Sequence, residues 1–170
     1  KTPSLPKQSH SAPALAPKKS QKIKDIIRNL SGLEIMEQTS NRIVAKNLIN
    51  INEISIINII RRIDIITRAM IDDVMLCARG HDNYETILSR DVDINRLYYL
   101  VGRVIRNALK NSKIAKLLGT DPWKLFSDKM ISIRIENIAD TQKRIARYLK
   151  QSTLSRDSID DLEKLHYELA

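Results

Sequence analysis

A heptad-like run of residues in the middle of the chain most limits how the chain can fold. Between positions 53 and 79, residues of one face recur at alternating spacings of four and three: Ile56, Ile60, Ile63, Thr67, Met70, Val74 and Cys77. This spacing predicts a single long amphipathic α-helix. Asn52 or Ser55 can cap its N-terminus, and Gly80 is placed to end it. Such a helix needs partner helices that bury its apolar face.

A second amphipathic helix is predicted immediately after the first. Asp82 and Glu85 have the spacing of a capping box, which satisfies free backbone N–H groups at the start of a helix. The predicted core face of this helix consists of Ile87, Ile94, Tyr98, Val101, Ile105 and Ala108. We expect the helix to loosen near residues 111–112, before a short amphipathic piece that ends at Gly119.

A third long helix is predicted to begin at Asp121 and Pro122, which are the residue types favoured at a cap and at the first helical position. It extends to about residue 149, and its predicted core face consists of Leu125, Ile131, Ile135, Ile138, Ile145 and Leu149. Three long helices joined by short loops predict a mostly α fold with an antiparallel three-helix bundle over residues 51–152.

Two different segments are predicted before this bundle. Residues 1–21 are rich in proline, serine and lysine, a composition that predicts a disordered tail or linker. Residues 22–50 predict a short helix that ends near Gly32, followed by a small β-hairpin. The hairpin is indicated by two partly alternating runs, 33–37 and 42–46, with turn-forming residues between them.

The C-terminal segment, residues 153–170, predicts the start of a fourth, truncated helix. Ser158 and Asp161 have capping-box spacing. The predicted apolar face consists of Ile159, Leu162, Leu165 and Leu169. The chain begins at Lys1 rather than at a methionine, so we expect it to be a piece of a longer protein.

The composition excludes several classes of site. Cys77 is the only cysteine, so neither an intrachain disulfide nor a cysteine-based zinc site can form, and a cytoplasmic location is expected. On its helix, Cys77 is expected to be a buried small side chain. His10, His81 and His166 share no ligand spacing and are expected in turns or exposed. No apolar stretch is long enough to span a bilayer, and no catalytic constellation is present, so we expect no enzymatic activity.

The net charge of +9 is concentrated in the tail. Five of the 29 basic residues and no acidic residue fall in residues 1–22, so the remainder carries 24 basic and 20 acidic residues, a net charge of +4. With one Trp, one Phe and five Tyr, the chain has little material for a base-stacking surface. Direct nucleic-acid contact is therefore expected only through the tail, and it would weaken steeply with salt.

Acidic residues form the one pattern that indicates a site. Glu136 and Asp140 lie one helical turn apart on one face, a spacing at which both carboxylates can reach one divalent cation. Asp91 and Asp93 on the second helix can add further oxygen ligands. The alternative is structural: Asp140 pairs with Arg144 four residues on, and Glu136 is solvated.

Three motifs lie along the predicted bundle: residues 90–98 (Arg-Asp-Val-Asp-Ile-Asn-Arg-Leu-Tyr), 117–122 (Leu-Leu-Gly-Thr-Asp-Pro) and 136–140 (Glu-Asn-Ile-Ala-Asp). They resemble, in order, the acidic helix-2 signature, the loop into helix 3 and the metal-holding ExxxD motif of PhoU-domain proteins, the helical-bundle regulators of phosphate uptake. The stretch 32–44 is also similar to the archaeal type of this family. The resemblance covers roughly residues 22–150, with one three-helix repeat.

The resemblance implies a regulator of phosphate uptake or phosphate-responsive signalling that contacts a phosphate transporter, a sensor kinase or a transcription factor. It implies a homo-oligomer with Mg, Mn, Zn or Fe held by Glu136, Asp140, Asp91 and Asp93. Archaeal relatives often carry an AbrB-like DNA-binding segment, which would precede Lys1. The alternative is a structural or dimerisation module of such an AbrB-type transcriptional regulator.

Two positions depart from the family pattern. Asn95 stands where the helix-2 signature usually ends in an aspartate, and Thr141 stands where a histidine often follows the ExxxD motif. Both changes remove polar or anionic support from the implied metal site. The chain also contains one repeat and the start of another, where family members commonly use two.

Overall fold

The structure, a computed structural model, describes residues 16–39 and 41–169 of the chain, without the side chains of Asn52 and Leu169. The described part is mostly helical, with six α-helices and one antiparallel pair of strands. The predicted mostly α fold class with a small β-hairpin is therefore confirmed. The chain divides into two compact units, Lys1–Ile49 and Asn50–Ala170.

The first unit contains α1 (Pro17–Arg28), β1 (Leu33–Gln38) and β2 (Ile43–Asn47). The predicted end of the disordered tail at residue 21 was wrong, because Pro17 begins α1 at the position where proline costs no helical hydrogen bond. The rest of that predicted tail, residues 1–15, lies outside the described residues. The hairpin is confirmed, with an irregularity in the strand pairing between Ile35 and Glu37.

Gly32 links α1 to the hairpin in a way that requires glycine. Its φ of 74° lies in the left-handed region, and a Cβ built there would stand 2.4 Å from Cγ1 of Ile49. The carbonyl of Gly32 also accepts a hydrogen bond from the backbone N–H of Leu48 at 2.8 Å. A side chain at position 32 would therefore displace the side chain of Ile49, which follows β2.

The second unit is built on three long helices: α2 (Ile56–Ala78), α3 (Tyr84–Lys110) and α5 (Pro122–Leu149). Each of the three contacts the other two. The side chains at the centre are fully buried and apolar, among them Ile63, Met70, Val74, Ile87, Ile94 and Val101. The predicted core faces of α2 and α3 are confirmed, except that Cys77 and Tyr98 are only partly buried.

The predicted core face of α5 was partly wrong. Leu125 is buried as predicted, and Ile135, Ile145 and Leu149 are partly buried against the core. Ile131, however, is exposed, and the remaining buried positions of α5 are Asp128, Ser132, Ala139, Gln142 and Ala146. Apolar residues surround most of this helix, so their spacing is compatible with more than one buried face. The face that contacts α2 and α3 carries the smaller side chains, and several large apolar residues of α5 remain exposed.

The caps explain where the long helices begin. The Ser55 hydroxyl accepts the backbone N–H of Asn58, and the Asp121 carboxylate accepts that of Lys124 at 2.9 Å, so both of these predicted caps form. The predicted Asp82/Glu85 capping box was wrong. The helix begins at Tyr84, and Asn83 precedes it, so Glu85 stands one position too early for the box.

Asn83 and Arg90 link the start of α3 to α2. The Asn83 amide donates to Oδ1 of the buried Asp73 at 3.1 Å, and Arg90 Nε donates to Oδ2 at 2.6 Å. Asp73 is thus a buried carboxylate with both oxygens paired, which is the arrangement that makes such burial tolerable. This link fixes the α2–α3 turn.

Two shorter helices complete the unit: α4 (Ser112–Leu117) and α6 (Arg156–Leu169). The predicted break near residues 111–112 is confirmed, since Asn111 is extended and its side chain caps α4. The predicted Ser158/Asp161 box was wrong, because Ser155 accepts the backbone N–H of Ser158 and caps the helix earlier.

Helix α6 packs on α2 with a face that differs from the predicted one. Ile159 and Leu162 are partly buried as expected, but Leu165 is exposed and His166 is buried. The expectation of an exposed His166 was therefore wrong. An ion pair between Arg79 and Glu163 at 2.9 Å flanks this contact. Among the described residues, no helix combines the length and apolarity needed to cross a membrane.

Candidate functional site

The two acidic motifs meet between α3 and α5. Nζ of Lys143 lies 2.9 Å from both carboxylate oxygens of Asp91 on α3 and 2.8 Å from Oδ1 of Asp140 on α5. Glu136 precedes Asp140 by one turn on the same helix and feels the charges of Asp140, Asp91 and Lys143, so it lies near the two carboxylates that hold the ammonium group. We name Asp91, Glu136, Asp140 and Lys143 the acidic cluster.

The pKa values of the cluster follow from its excess of negative charge. Partial burial raises the pKa of Glu136, and the neighbouring charges of Asp140 and Asp91 raise it further. Burial alone would lower the pKa of Lys143, but its hydrogen bonds to Asp140 and Asp91 outweigh this effect and raise it. Lys143 therefore stays charged, while Glu136 holds its proton more tightly than a solvated glutamate does.

Asp93 is not part of this cluster. It is exposed, and it lies two residues from Asp91, which places it about 200° around the helix. The structure thus brings together three of the four predicted ligands, Asp91, Glu136 and Asp140, and leaves Asp93 on another side of α3.

The two departures from the family pattern have local hydrogen bonds of their own. Asn95 donates from Nδ2 to Oδ2 of Asp91 at 3.3 Å, where a second carboxylate would repel the first. Thr141 donates from its hydroxyl to the backbone carbonyl of Asn137 at 2.8 Å, along its own helix. Asn95 therefore supports Asp91, whereas Thr141 adds nothing to the cluster.

Lys143 is the residue that sequence reasoning missed. The structural alternative paired Asp140 with Arg144, but the ion pair forms with Lys143, three residues on. The signal was present in the spacing, because position 143 lies seven residues after Glu136 and thus on the same helical face. The spacing does not predict the contact with Asp91, because that contact depends on how α3 packs against α5.

Chemically, the cluster offers hard oxygen ligands with a resident counter-ion. Carboxylate oxygens suit Mg²⁺, Mn²⁺ and similar cations. Lys143 Nζ, however, fills the space between Asp91 and Asp140, so these two carboxylates can share a cation only after Lys143 moves away. In the described part of the chain, no group of three or more His, Cys, Asp or Glu side chains is already arranged to hold a metal ion.

A second notable surface lies on the outer side of α5. Trp123, Phe126 and Met130 are exposed there, and the rings of Trp123 and Phe126 stack with their centroids 5.7 Å apart. Large exposed apolar side chains grouped on one surface are typical of a contact site for another molecule.

No protein-family model, curated protein or solved structure was found to match the chain. The resemblance to PhoU-domain proteins therefore rests on the sequence motifs alone.

Proposed function

We propose that the chain is a non-enzymatic regulator of phosphate uptake or phosphate-responsive signalling that acts by protein–protein contact. The observation that carries the proposal is the meeting of Asp91 and Asp140 at Lys143, since it joins two motifs that the family resemblance selects and that lie far apart in sequence. The mutual contacts of α2, α3 and α5 support an antiparallel three-helix bundle of PhoU type, with α6 as the start of a further helix.

In this proposal the partner is a phosphate transporter, a sensor kinase or a transcription factor, and the regulator works in the cytoplasm as a homo-oligomer. A DNA-binding segment of AbrB type upstream of Lys1 would connect it to transcription. The support for these partners is the family resemblance, and the exposed apolar surface of α5 supports a role in binding other proteins.

The acidic cluster has two states in this proposal. Without a cation, Lys143 neutralises part of the negative charge of Asp91 and Asp140. A divalent or ferric cation replaces the ammonium group and is held by Asp91, Glu136 and Asp140. The raised pKa of Glu136 supports this exchange, because one ammonium group leaves the cluster with excess negative charge that a cation of higher charge can balance.

Metal content and thermal stability of the purified chain test the cation-binding part. They are measured with magnesium, manganese, zinc and iron for the wild type and for Glu136→Ala/Asp140→Ala, with Asp93→Ala as the matched control outside the cluster. We expect the wild type and Asp93→Ala to bind stoichiometric metal and gain about 2.7 kcal/mol of stability at a hundredfold excess of metal over Kd. The double variant should gain nothing.

Lys143→Gln completes this test. It removes the competing ammonium group and leaves a neutral polar side chain, so metal should bind this variant more tightly than the wild type. If neither the wild type nor Lys143→Gln binds metal, the acidic cluster is an ion-pair network, and the cation-linked part of the proposal is wrong.

The alternative function is a dimerisation module of an AbrB-type transcriptional regulator, with the carboxylates serving only as ion-pair partners. In this alternative, the exposed Trp123 and Phe126 contact a second copy of the chain. It predicts a stable dimer whose formation is unaffected by metal or by Glu136→Ala/Asp140→Ala. Sedimentation of the wild type and the double variant, with and without manganese, separates the two functions.

A further inference from the structure

The outer side of α5 carries a regular row of exposed residues. Spacings of three and four residues separate its members: Trp123, Phe126, Met130, Arg134, Asn137, Thr141, Arg144 and Tyr148. We name these residues the α5 stripe. The rise of the helix gives the stripe a length of about 38 Å. It faces away from the side of α5 that packs on α2 and α3.

The N-terminal end of the stripe is apolar and aromatic. Trp123 is 75% exposed and Phe126 is 55% exposed, although they are the only Trp and the only Phe of the whole chain. Trp is among the residues that contribute most binding energy in protein interfaces, and its neighbours here are apolar as well. With Met130 and the adjacent, exposed Ile131, they form an apolar surface about two helical turns long.

The charge on this side of α5 has a single sign. All residues of α5 are described, and each exposed charged one is basic: Lys124, Arg134, Arg144 and Arg147. Of the acidic residues of the helix, Asp128 is buried, Glu136 is partly buried, and Asp140, whose side chain is 47% exposed, is paired with Lys143. A surface that is apolar at its N-terminal end and basic along the rest is complementary to a ligand with an apolar segment and an adjoining acidic segment.

The spacing of the stripe indicates the shape of that ligand. Apolar residues at intervals of three and four form the seam into which a second helix packs its own side chains. Isologous, antiparallel pairing of two copies along the whole stripe is disfavoured, because it would set Arg144 of one copy, without a counter-charge, against the apolar end of the other. A helix of another protein with an apolar segment and an acidic segment avoids this mismatch.

We propose that the α5 stripe binds an amphipathic helix of a partner protein. Its apolar residues pack on Trp123, Phe126 and Met130, and its acidic side chains pair with Arg134 and Arg144. This inference rests on the proposed function, because it specifies the surface and the chemistry through which the regulator contacts its partner.

Trp123 provides a direct measurement of binding, because intrinsic Trp fluorescence in this chain comes from that one residue. The probe is a synthetic helical peptide with a segment of leucines at heptad spacing and an adjoining segment of glutamates. Its matched control replaces every glutamate with lysine. We expect the acidic peptide to shift Trp123 emission to shorter wavelength at saturation, and the basic peptide to bind at least tenfold more weakly.

Variants then place the peptide on the stripe. Arg134→Glu/Arg144→Glu should weaken binding of the acidic peptide at least tenfold and strengthen binding of the basic one. Phe126→Ser should weaken both, because it removes apolar contact. Ile65→Ser is the matched control, since Ile65 is 65% exposed on α2, away from the stripe, and it should leave binding unchanged.

Three results would overturn the inference. Equal binding of both peptides would mean that the charge of the stripe does not select the partner. A blue shift of Trp123 emission with protein concentration alone would assign the stripe to a second copy of the chain. Binding to phosphatidylglycerol vesicles without binding of the acidic peptide would assign it to a membrane surface. Because the metal measurement uses the acidic cluster, a chain that binds manganese but no peptide refutes this inference and leaves the proposed function standing.

Discussion

Helices α2 and α5 are both long, both apolar and both in contact with α3, yet they use their apolar residues in opposite ways. Helix α2 places Ile60, Ile63 and Met70 in the core, as its spacing predicts. Helix α5 buries Ser132 and Gln142 and exposes its largest apolar side chains. In α2 the apolar residues stabilise the fold. In α5 they remain available for contact with another molecule.

The difference lies in which side chains of each helix face the core. The apolar residues of α2 that follow its heptad spacing form one buried stripe, while Ile57, Ile65 and Leu76 of the same helix remain exposed. Helix α5 carries apolar residues on several sides, and the core takes the side with Ala139 and Ala146, where small side chains meet α2 and α3. The excess apolar residues of α5 are therefore the better indication of function.

The largest expected effect on stability is the difference between truncating a buried methionine of α2 and truncating an exposed methionine of α5. Met70 is 0% exposed on α2 and Met130 is 36% exposed on α5. Met70→Ala should lower the free energy of unfolding by about 2–5 kcal/mol, because it leaves a cavity in the core. Met130→Ala should cost less than about 1 kcal/mol. Urea denaturation of both variants measures this, and equal losses would show that the two helices do not differ.

A smaller change in stability, of opposite sign, is expected when a buried polar residue of α5 is replaced by an apolar one. Gln142 is buried in α5, and its Oε1 has no hydrogen-bond partner among the described residues. Gln142→Leu should therefore raise the free energy of unfolding by about 1 kcal/mol. Thr67 is its counterpart on α2, and its hydroxyl donates to the carbonyl of Ile63 at 2.9 Å.

Thr67→Val is the control for that prediction. Because it removes a satisfied hydrogen bond, it should lower the free energy of unfolding by up to about 1 kcal/mol. Thermal melts of both variants give the signs. A destabilised Gln142→Leu would mean that the amide is paired in solution and that the two helices bury polar groups equally well.

The smallest expected effect concerns the packing of α6 on α2. In the described part of the chain, no helix packs in this way on the outer side of α5. Burial lowers the pKa of His166, although the nearby charge of Asp72 opposes this. The unfolded chain therefore binds a proton more readily than the folded one. The docking of α6 should be constant above the ordinary histidine pKa of about 6.5 and should weaken as the pH falls below it.

Protection factors of α6 amides, which are the intrinsic exchange rates at each pH divided by the observed rates, measure this prediction at pH 7.5 and pH 5. We expect lower protection factors in α6 at the lower pH, with the protection factors at the centre of α2 and α3 unchanged. His166→Phe removes the titrating group and should abolish the difference. If the protection factors of α6 are equal at both pH values in the wild type, the imidazole is not protonated in this range or does not oppose docking.

Much of this fold was predictable because local features of the sequence determine it. The heptad spacing of α2, the cap at Asp121, the break at Asn111 and the two strand-forming runs each specify local structure without knowledge of the rest of the chain. The face of α5 could not be predicted in the same way, since its choice depends on which side chains fit between α2 and α3. The burial of His166 instead of Leu165 depends likewise on how α6 packs against α2.

The candidate site also has one part that the sequence predicted and one part that it did not. The i, i+4 spacing of Glu136 and Asp140 identified one half of the acidic cluster, and Asp91 was predicted together with Asp93 as a source of further oxygen ligands on the second helix. The contact of Lys143 with Asp91 joins two helices, so the spacing of residues within either helix could not predict it. Asp93 was included by spacing in sequence, although two residues on a helix point to nearly opposite sides.

The cap at Asp121 has a consequence for any ligand of the α5 stripe. Helix ends usually fray, yet the first turn of α5 is held by the hydrogen bond from the Lys124 N–H to the Asp121 carboxylate and by the fixed φ of Pro122. Trp123 stands in this turn. The surface is thus preorganised, and a docking helix loses mainly its own conformational entropy, which favours a long residence time for a given contact area.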